Sequence, residues 1–311
     1  MAPLKLFITG ASGWTGGVLA RLACGRGASV WNFSRTPSGL SGVVDVPGDL
    51  SNGAAIGAAL QRAAPDTIVH LAAVMPGATD WSDDACVEVN VGGTVRLFEA
   101  VKKHAPRARV IVASSSGVYA PMSGLPLGED ATLMPASTYA ASKLETEVIA
   151  RRQALEMGMD VVLARPFNQT GPGEPPRLVC SAIARQIAAI EAGNQAPVVR
   201  VRSLTPLRDF TDVRDVAEAY WALLEAPASV YNICSGRAFS VADIVATLLE
   251  ASAAASGITV LETDLSAVPV PVQIGDSSRM RVATGWHPEI SIEESLRDLL
   301  KQCRHAAAQL L

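Results

Sequence analysis

The chain has 311 residues, enough for one large domain or two unequal ones. Hydrophobic residues make up 49% and charged residues 18%, a balance that supports a sizeable core and excludes disorder. A formal net charge of -4 supplies no electrostatic pull toward nucleic acid or an anionic membrane.

Mean hydropathy is +0.25, but the apolar excess is Ala and Val spread over short segments. None is an uninterrupted span of the roughly 20 residues that a bilayer requires. Met1-Ala2-Pro3-Leu4-Lys5 runs straight into a strand-like segment and lacks a secretory pattern. Five scattered cysteines, Cys24, Cys86, Cys180, Cys234 and Cys303, show no C-x-x-C spacing, so reduced thiols and a cytoplasmic location are expected. Neither they nor the four histidines have metal-ligand spacing.

The first half alternates short apolar runs with helical periodicity. Leu4–Thr9, Val30–Ser34, Thr67–His70 and Arg109–Ser114 predict buried strands, and segments near 14–24, 52–64, 82–104 and 137–157 predict helices. Val161–Arg165 reads as a sixth strand and Tyr231–Cys234 as a later one. The β-α-β-α order predicts an α/β fold, a Rossmann-type doubly wound parallel sheet with right-handed crossovers. After Pro166 the rhythm changes. Gly171-Pro172-Gly173-Glu174-Pro175-Pro176 is a loop by composition, followed by a helix over 178–192, an extended Val198–Val201, and helices over 240–254 and 291–306. This predicts residues 1–169 plus 210–235 as a dinucleotide-binding domain, and 170–209 plus 236–311 as a smaller α/β substrate-binding domain.

The first strand leads into Gly10-Ala11-Ser12-Gly13-Trp14-Thr15-Gly16, which opens a helix. Glycines at this spacing allow a tight turn and a close backbone approach to a pyrophosphate, and the helix N-terminus adds N–H donors and partial positive charge. The second strand ends in Ser34-Arg35 rather than the acidic residue that usually bonds the ribose of NAD. Arg35 can pair with a 2′-phosphate, so NADP(H) is favoured over NAD(H). Asp49-Leu50 is placed to meet the adenine or, alternatively, to cap the next helix.

Tyr139-Ala140-Ala141-Ser142-Lys143 puts a phenol and an ammonium on one helix face. A neighbouring Lys⁺ is expected to lower the phenol's pKa from about 10. Ser114, Ser115 and Ser116 close the strand Arg109–Ser114, at the ligand-facing edge of such a sheet. A hydroxyl there can bond a reacting oxygen and orient it toward Tyr139.

Together Gly10–Gly16, Gly48-Asp49-Leu50, His70–Ala73, Asn90–Thr94, Ser114–Tyr119 and Tyr139–Lys143 resemble the extended short-chain dehydrogenase/reductase family. The resemblance runs nearly end to end. It implies Ser115, four residues before Tyr119, as the catalytic hydroxyl beside Tyr139 and Lys143. It also implies a cofactor surface made of Gly10, Gly13, Trp14, Gly16, Ser34, Arg35, Asp49, Leu50, Leu71, Ala72, Ala73, Asn90, Tyr139, Lys143 and Pro166, with His70 a packed core histidine.

Arg165–Gly173, Arg208–Val216, Tyr231–Gly236 and Gly275–Arg279 are similar to the nucleotide-sugar branch, in particular the GDP-4-keto-6-deoxy-D-mannose reductases. That resemblance implies Asn168 and Arg208 on a diphosphate, Val179 against a base, and Ser116 near the sugar. The implied reaction is reduction of a 4-keto-6-deoxyhexose to GDP-D-rhamnose in a homodimer built from the helices near 82–104 and 137–157. A 4-epimerase, a dehydrogenase of a smaller hydroxy substrate, and a non-catalytic NADP sensor are the alternatives.

Two departures from the branch stand out. Ser115-Ser116-Gly117 lacks the acidic pair of 4,6-dehydratases and the cysteine of fucose-forming epimerase-reductases. Ser266-Ala267-Val268-Pro269 stands where an Arg-Pro pair is expected, which would leave Arg177, Arg185 or Arg202 to compensate.

Overall fold

The computed structural model describes residues 2–74, 82–121, 126–264 and 272–308. In chain order the first half runs β1 (Lys5–Thr9), α1 (Trp14–Gly25), β2 (Ser29–Ser34), β3 (Val43–Pro47), α2 (Gly53–Ala63), β4 (Thr67–His70), α3 (Asp83–Val87), α4 (Gly93–His104), β5 (Arg109–Ala113), α5 (Thr138–Met157) and β6 (Val161–Pro166). The second half runs β7 (Asn168–Thr170), α6 (Val179–Glu191), β8 (Val198–Val201), β9 (Leu207–Asp212), α7 (Val213–Ala222), β10 (Val230–Ile233), β11 (Ala238–Ser240), α8 (Val241–Glu250), β12 (Thr259–Glu262), β13 (Val272–Gln273), α9 (Ser278–Thr284) and α10 (Ile292–Ala308).

Seven parallel strands form the main sheet in the order β10-β6-β5-β4-β1-β2-β3. The chain winds outward from β1 to β3, then returns to pair β4 with β1 and winds the other way. A crevice therefore opens at the carboxyl ends of β1 and β4, the switch point where such sheets bind ligands. Alternation along β1 sends Leu6 and Ile8 into one core, with Leu19 of α1 and Val216 and Tyr220 of α7, and Phe7 into the other, with Ile56, Leu60, Leu97 and Phe98. Both faces are covered, which explains why these strands read as unbroken apolar runs. Each fully buried Leu, Ile or Phe contributes about 1.5–3 kcal/mol.

A third core joins α6, α8 and α10 to β8 and β9. Here β9 pairs in parallel with β7 and β13 and antiparallel with β11. The boundaries drawn at 169/170 and 209/210 both fall within strands of this smaller sheet. Helix α7 was not among the helices expected from periodicity. Its N-cap Asp212 accepts from Arg214 N at 2.7 Å, and its buried Val213, Val216, Ala217 and Tyr220 have helical spacing, so the signal was present.

The segment expected as one helix over 82–104 is α3, a wide π turn at Glu88–Gly92, and α4. The departure centres on Asn90, whose Oδ1 accepts from Val74 N at 2.7 Å and whose Nδ2 donates to Val74 O at 3.0 Å. Such single wide turns often accompany functional sites.

Candidate active site

The glycine turn leaves β1 through Gly10, at φ +86, a left-handed conformation natural to glycine. A Cβ there would stand 2.9 Å from the Ala72 amide, and one on Gly16 would stand 2.3 Å from Gly10 O. The turn can exist only with these residues. Helix α1 then begins with Gly13 as N-cap, with no side-chain cap and no acidic residue in its first turn. Bare N–H groups in an uncluttered cradle are what a dinucleotide pyrophosphate needs, so these residues fit an NAD(P) cofactor.

A cleft of about 580 Å³ extends from this turn. Gly10, Gly13, Trp14, Gly16, Leu71, Ala73, Pro166, Asn168 and Val179 line it, as do Ser115, Ser116, Tyr139 and Lys143. One contiguous cavity thus joins the glycine cradle to the strand-end serines and the Tyr–Lys pair.

Helix α5 is started by Ser137, whose Oγ accepts from Ala140 N at 3.2 Å, and presents Tyr139 and Lys143 one turn apart. Lys143 Nζ lies 5.9 Å from the centre of the Tyr139 ring and donates to Ala113 O at 2.8 Å. Burial holds the ammonium down at about 8, with Cys86 opposing.

The expected lowering of the phenol is not the direction found. Burial pushes Tyr139 up to about 12, Cys86 adds to this, and the hydrogen bond with Ser115 only partly opposes it. Desolvation outweighs the field of a lysine whose Nζ is engaged by a carbonyl. A neutral phenol suits proton donation.

The three serines separate cleanly. Ser114 Oγ donates to Glu147 Oε1 at 2.6 Å, away from the chemistry. Ser116 is held by Gln273, which donates Nε2 to Ser116 O at 2.8 Å. Ser115 Oγ accepts from Gly117 N at 3.1 Å and meets Tyr139. A Cβ on Gly117 would sit 3.3 Å from Ala140 Cβ and 3.4 Å from Ser115 Oγ, so a cysteine at 117 would crowd the Ser115 hydroxyl.

Several expected contacts lie outside this cleft. Ser34 Oγ accepts from Gly10 N at 3.1 Å and donates to Asn32 Oδ1 at 2.6 Å, so it shapes the turn. Ala72 backs the turn, its N donating to Thr9 Oγ1 at 3.2 Å. Leu50 is core. Asn90 is buried, and its amide is spent on Val74, Ser142 and Cys86.

Asp49 accepts from Ser51 N at 2.8 Å, but the cap of α2 is Asn52. Arg35 is exposed at the end of β2, near enough to Asp49 to help hold its carboxyl low. Arg208 is half-buried, and its Nη1 donates to Leu207 O at 2.9 Å. His70 is a core residue as expected, between Thr9 Oγ1 at 2.7 Å and Thr94 Oγ1 at 3.1 Å.

Ser266–Pro269 falls outside the described residues. Of the three compensating arginines, Arg177 lines the cleft, whereas Arg202 is bound to Asp264 at 3.0 Å and Arg185 is exposed elsewhere on α6. Thr15, Gln169, Glu174 and Tyr220 were not expected as site residues from the sequence, yet all four line the cleft. Thr15 Oγ1 donates to Gln169 Oε1 at 2.8 Å, closing the cradle against the second half of the chain.

Comparison with known proteins agrees with this geometry. A model of the NAD dependent epimerase/dehydratase family matches residues 6–234. The GDP-6-deoxy-D-mannose reductase of Pseudomonas aeruginosa is 32% identical over 95% of this chain and 96% of its own. The dTDP-6-deoxy-L-talose 4-dehydrogenase (NAD(P)(+)) of Kitasatospora kifunensis is 30% identical over 96% and 95%. The solved structure of RMD from Pseudomonas aeruginosa complexed with NADPH has a TM-score of 0.85 at 31% identity, covering 97% of this chain and 99% of that one. The chain belongs to the NAD dependent epimerase/dehydratase family, the extended short-chain dehydrogenases/reductases, and is an NAD(P)-dependent oxidoreductase of that type.

Proposed function

We propose that this enzyme reduces the 4-keto group of a nucleotide-linked 6-deoxyhexose, taking GDP-4-keto-6-deoxy-D-mannose to GDP-D-rhamnose. The observation that carries the reading is the single cleft that joins the glycine cradle, Ser115, Tyr139 and Lys143, and then Asn168 and Val179. The similarity to the P. aeruginosa reductase over nearly the whole of both chains supports it. Residues 1–169 plus 210–235 would carry the dinucleotide, and 170–209 plus 236–311 the sugar nucleotide.

Gly10, Gly13 and Gly16 would hold NADPH in the cradle, and the cofactor, when bound, would supply a hydride for the keto carbon. Ser115 Oγ–H bonds the substrate oxygen as negative charge develops there. Tyr139, neutral because its surroundings disfavour phenolate, donates its proton to that oxygen and completes the alcohol. Lys143 would hold the nicotinamide ribose and, as a cation, would stabilise Tyr139 while its proton is away. The proton is then restored from solvent.

Incubation with NADPH and the 4-keto sugar nucleotide is expected to consume one cofactor per alcohol formed. Lys143 acts as a cation and its proton leaves near pH 8, so kcat/KM is expected to fall as pH rises through that value. Absence of NADPH oxidation with this substrate would refute the proposal. Retained NAD and interconversion at carbon four with no net oxidation would point to the 4-epimerase instead.

We favour NADPH because β2 runs into Ser34-Arg35 and not into an acidic residue. Asp45, the nearest on β3, is engaged by Asn32 Nδ2 at 2.7 Å and Ser38 N at 2.8 Å. Arg35→Gln is expected to weaken NADPH by about 10- to 100-fold, the worth of a charge-assisted bond, and to leave NADH unchanged. Equal effects on both cofactors would remove Arg35 from 2′-phosphate recognition.

A homodimer is also part of this reading. Phe98 and Val101 of α4 are buried in the core against the sheet and are not available to a partner. Val95, Val148, Leu155 and Met157 on α4 and α5 are exposed apolar residues, and a second copy would cover them. Sedimentation at the 32.4 kDa of one chain would exclude it. The five cysteines are all free, which fits a reducing, cytoplasmic setting.

A further inference from the structure

The chain has four tyrosines. Tyr119 Oη donates to Asn232 Oδ1 at 2.6 Å, Tyr231 Oη donates to Pro227 O at 2.9 Å, and Tyr139 is hydrogen-bonded with Ser115. The hydroxyl of the fourth, Tyr220, has no hydrogen-bond partner among the described residues. The residue is only 1% exposed, and its ring belongs to the core that holds Leu19 and Ala20 of α1, Ala164 of β6 and Ile233 of β10. A phenylalanine would fill that core as well, because a buried hydroxyl without a partner only costs stability.

The little surface that Tyr220 keeps lies on the cleft, which it lines. Its oxygen is not one of the fully enclosed polar atoms that lack a partner, so the oxygen is part of that remaining surface. The course of α7 explains this. The helix starts at Val213, directly after β9, whose Phe210 lines the same cleft. Cα–Cβ bonds lean toward a helix N-terminus, and aromatic rings follow them. The ring of Tyr220, two turns into α7, is therefore carried back toward the cleft with its hydroxyl leading.

The sheet says which part of a ligand this hydroxyl meets. Helix α5, which bears Tyr139 and Lys143, covers the face of the sheet that holds Phe98 and Ala150. Helices α7 and α1 cover the other face. The two phenols thus enter the cleft from opposite faces, near enough for the charge on one to be felt by the other. Burial first, and then Tyr139, hold the Tyr220 hydroxyl well above its ordinary value. It remains a neutral group that both donates and accepts.

Ala113 at the end of β5 and Pro166 at the end of β6 also line the cleft. A hydride donor that serves an oxygen held by Ser115 and Tyr139 has to bring its nicotinamide ring to these strand ends. The carboxamide of that ring carries an acceptor and two donors, the complement of a hydroxyl, whereas a phosphate only accepts.

We infer that the Tyr220 hydroxyl is a cofactor-contacting group, hydrogen-bonding the nicotinamide carboxamide from the face of the sheet opposite Tyr139 and Lys143. The contact fixes the rotation of the ring and so decides which side of it is turned to the substrate. It is made to the cofactor and holds whichever sugar the enzyme reduces.

The test is calorimetric titration of the full-length wild type and Tyr220→Phe with NADPH and NADH, and with ADP-ribose and its 2′-phosphate. The last two carry the pyrophosphate and no nicotinamide. The variant is expected to bind the preferred dinucleotide about 3- to 10-fold more weakly, the worth of one neutral hydrogen bond, and to bind the matching ADP-ribose unchanged. Its melting temperature without ligand should equal or exceed that of the wild type, because the hydroxyl has no partner to lose. A merely structural role predicts the reverse, a lower melting temperature with affinity unmoved.

Unchanged affinity for all four ligands would overturn the inference. Equal weakening of the dinucleotide and its ADP-ribose would overturn it too, since the contact would then lie off the nicotinamide. The ratio of those two affinities decides even in a destabilised variant, because a damaged fold weakens both. Failure of the wild type to bind any of the four would instead overturn the cofactor site, and this contact with it.

Discussion

Replacing Tyr139 by Phe is expected to lower kcat for ketone reduction by about two to four orders of magnitude, the usual worth of a positioned general acid. The substitution removes one oxygen from a ring whose place is set by α5 and leaves the glycine cradle untouched. NADPH affinity should therefore stay close to that of the wild type, and the loss should appear in kcat rather than KM. Because burial holds the phenol near 12, the wild-type acid remains protonated throughout the neutral range. Reduction is then limited at high pH by Lys143, near 8, before it is limited by Tyr139. The reverse oxidation needs the phenolate and should rise with pH. Single-turnover mixing of enzyme, NADPH and keto substrate measures the step directly. Survival of reduction within tenfold in the Phe variant would remove Tyr139 from the mechanism.

Replacing Glu147 by Ala should cost about 3–5 kcal/mol of stability, the penalty of leaving a buried charge without its partner. Arg165 is fully buried and Glu147 is 1% exposed. The guanidinium donates to Oε1 and Oε2 of Glu147, each at 2.7 Å. It also donates to Tyr119 Oη at 3.0 Å and to Glu129 O at 2.9 Å. Tyr119 in turn donates to Asn232 Oδ1 at 2.6 Å. Glu147 lies one helical turn beyond Lys143 and receives the Ser114 hydroxyl. A single ion pair thus ties the helix bearing the Tyr–Lys pair to β6 and to the strand end that presents Ser115.

Removing both partners together, as Glu147→Leu with Arg165→Met, should recover much of the loss, because neither charge is then left buried alone. Urea unfolding monitored by circular dichroism measures both variants. A single variant within 1 kcal/mol of wild type would contradict the buried-pair argument.

The proposed Tyr–Lys pair was legible in the sequence because its geometry is local: Tyr139 and Lys143 share a face by helical spacing alone. The end of an apolar strand offered Ser114, Ser115 and Ser116 together, and only the family resemblance singled out Ser115. The glycine turn was legible for a similar reason, since short-range sterics at Gly10 and Gly16 admit no other residue. The alternation of strands and helices established the parallel sheet, as each of those strands is buried on both faces.

Contacts between distant segments were not legible. Nothing near Ser34 or Asn90 shows that their polar groups are used up inside the protein, because Gly10 and Val74 reach them only once the chain has folded. The raised pKa of Tyr139 depends on how much water is removed around it, a property of packing and not of the pair's spacing. The same is true of the Tyr220 hydroxyl, which in the sequence is one residue on the buried face of α7. Local chemistry along the chain determined the fold class and pointed to the proposed reacting groups. Only the tertiary structure decided which polar groups are already satisfied and which are left facing a ligand, because desolvation and hydrogen-bond completion are set by neighbours far away in sequence.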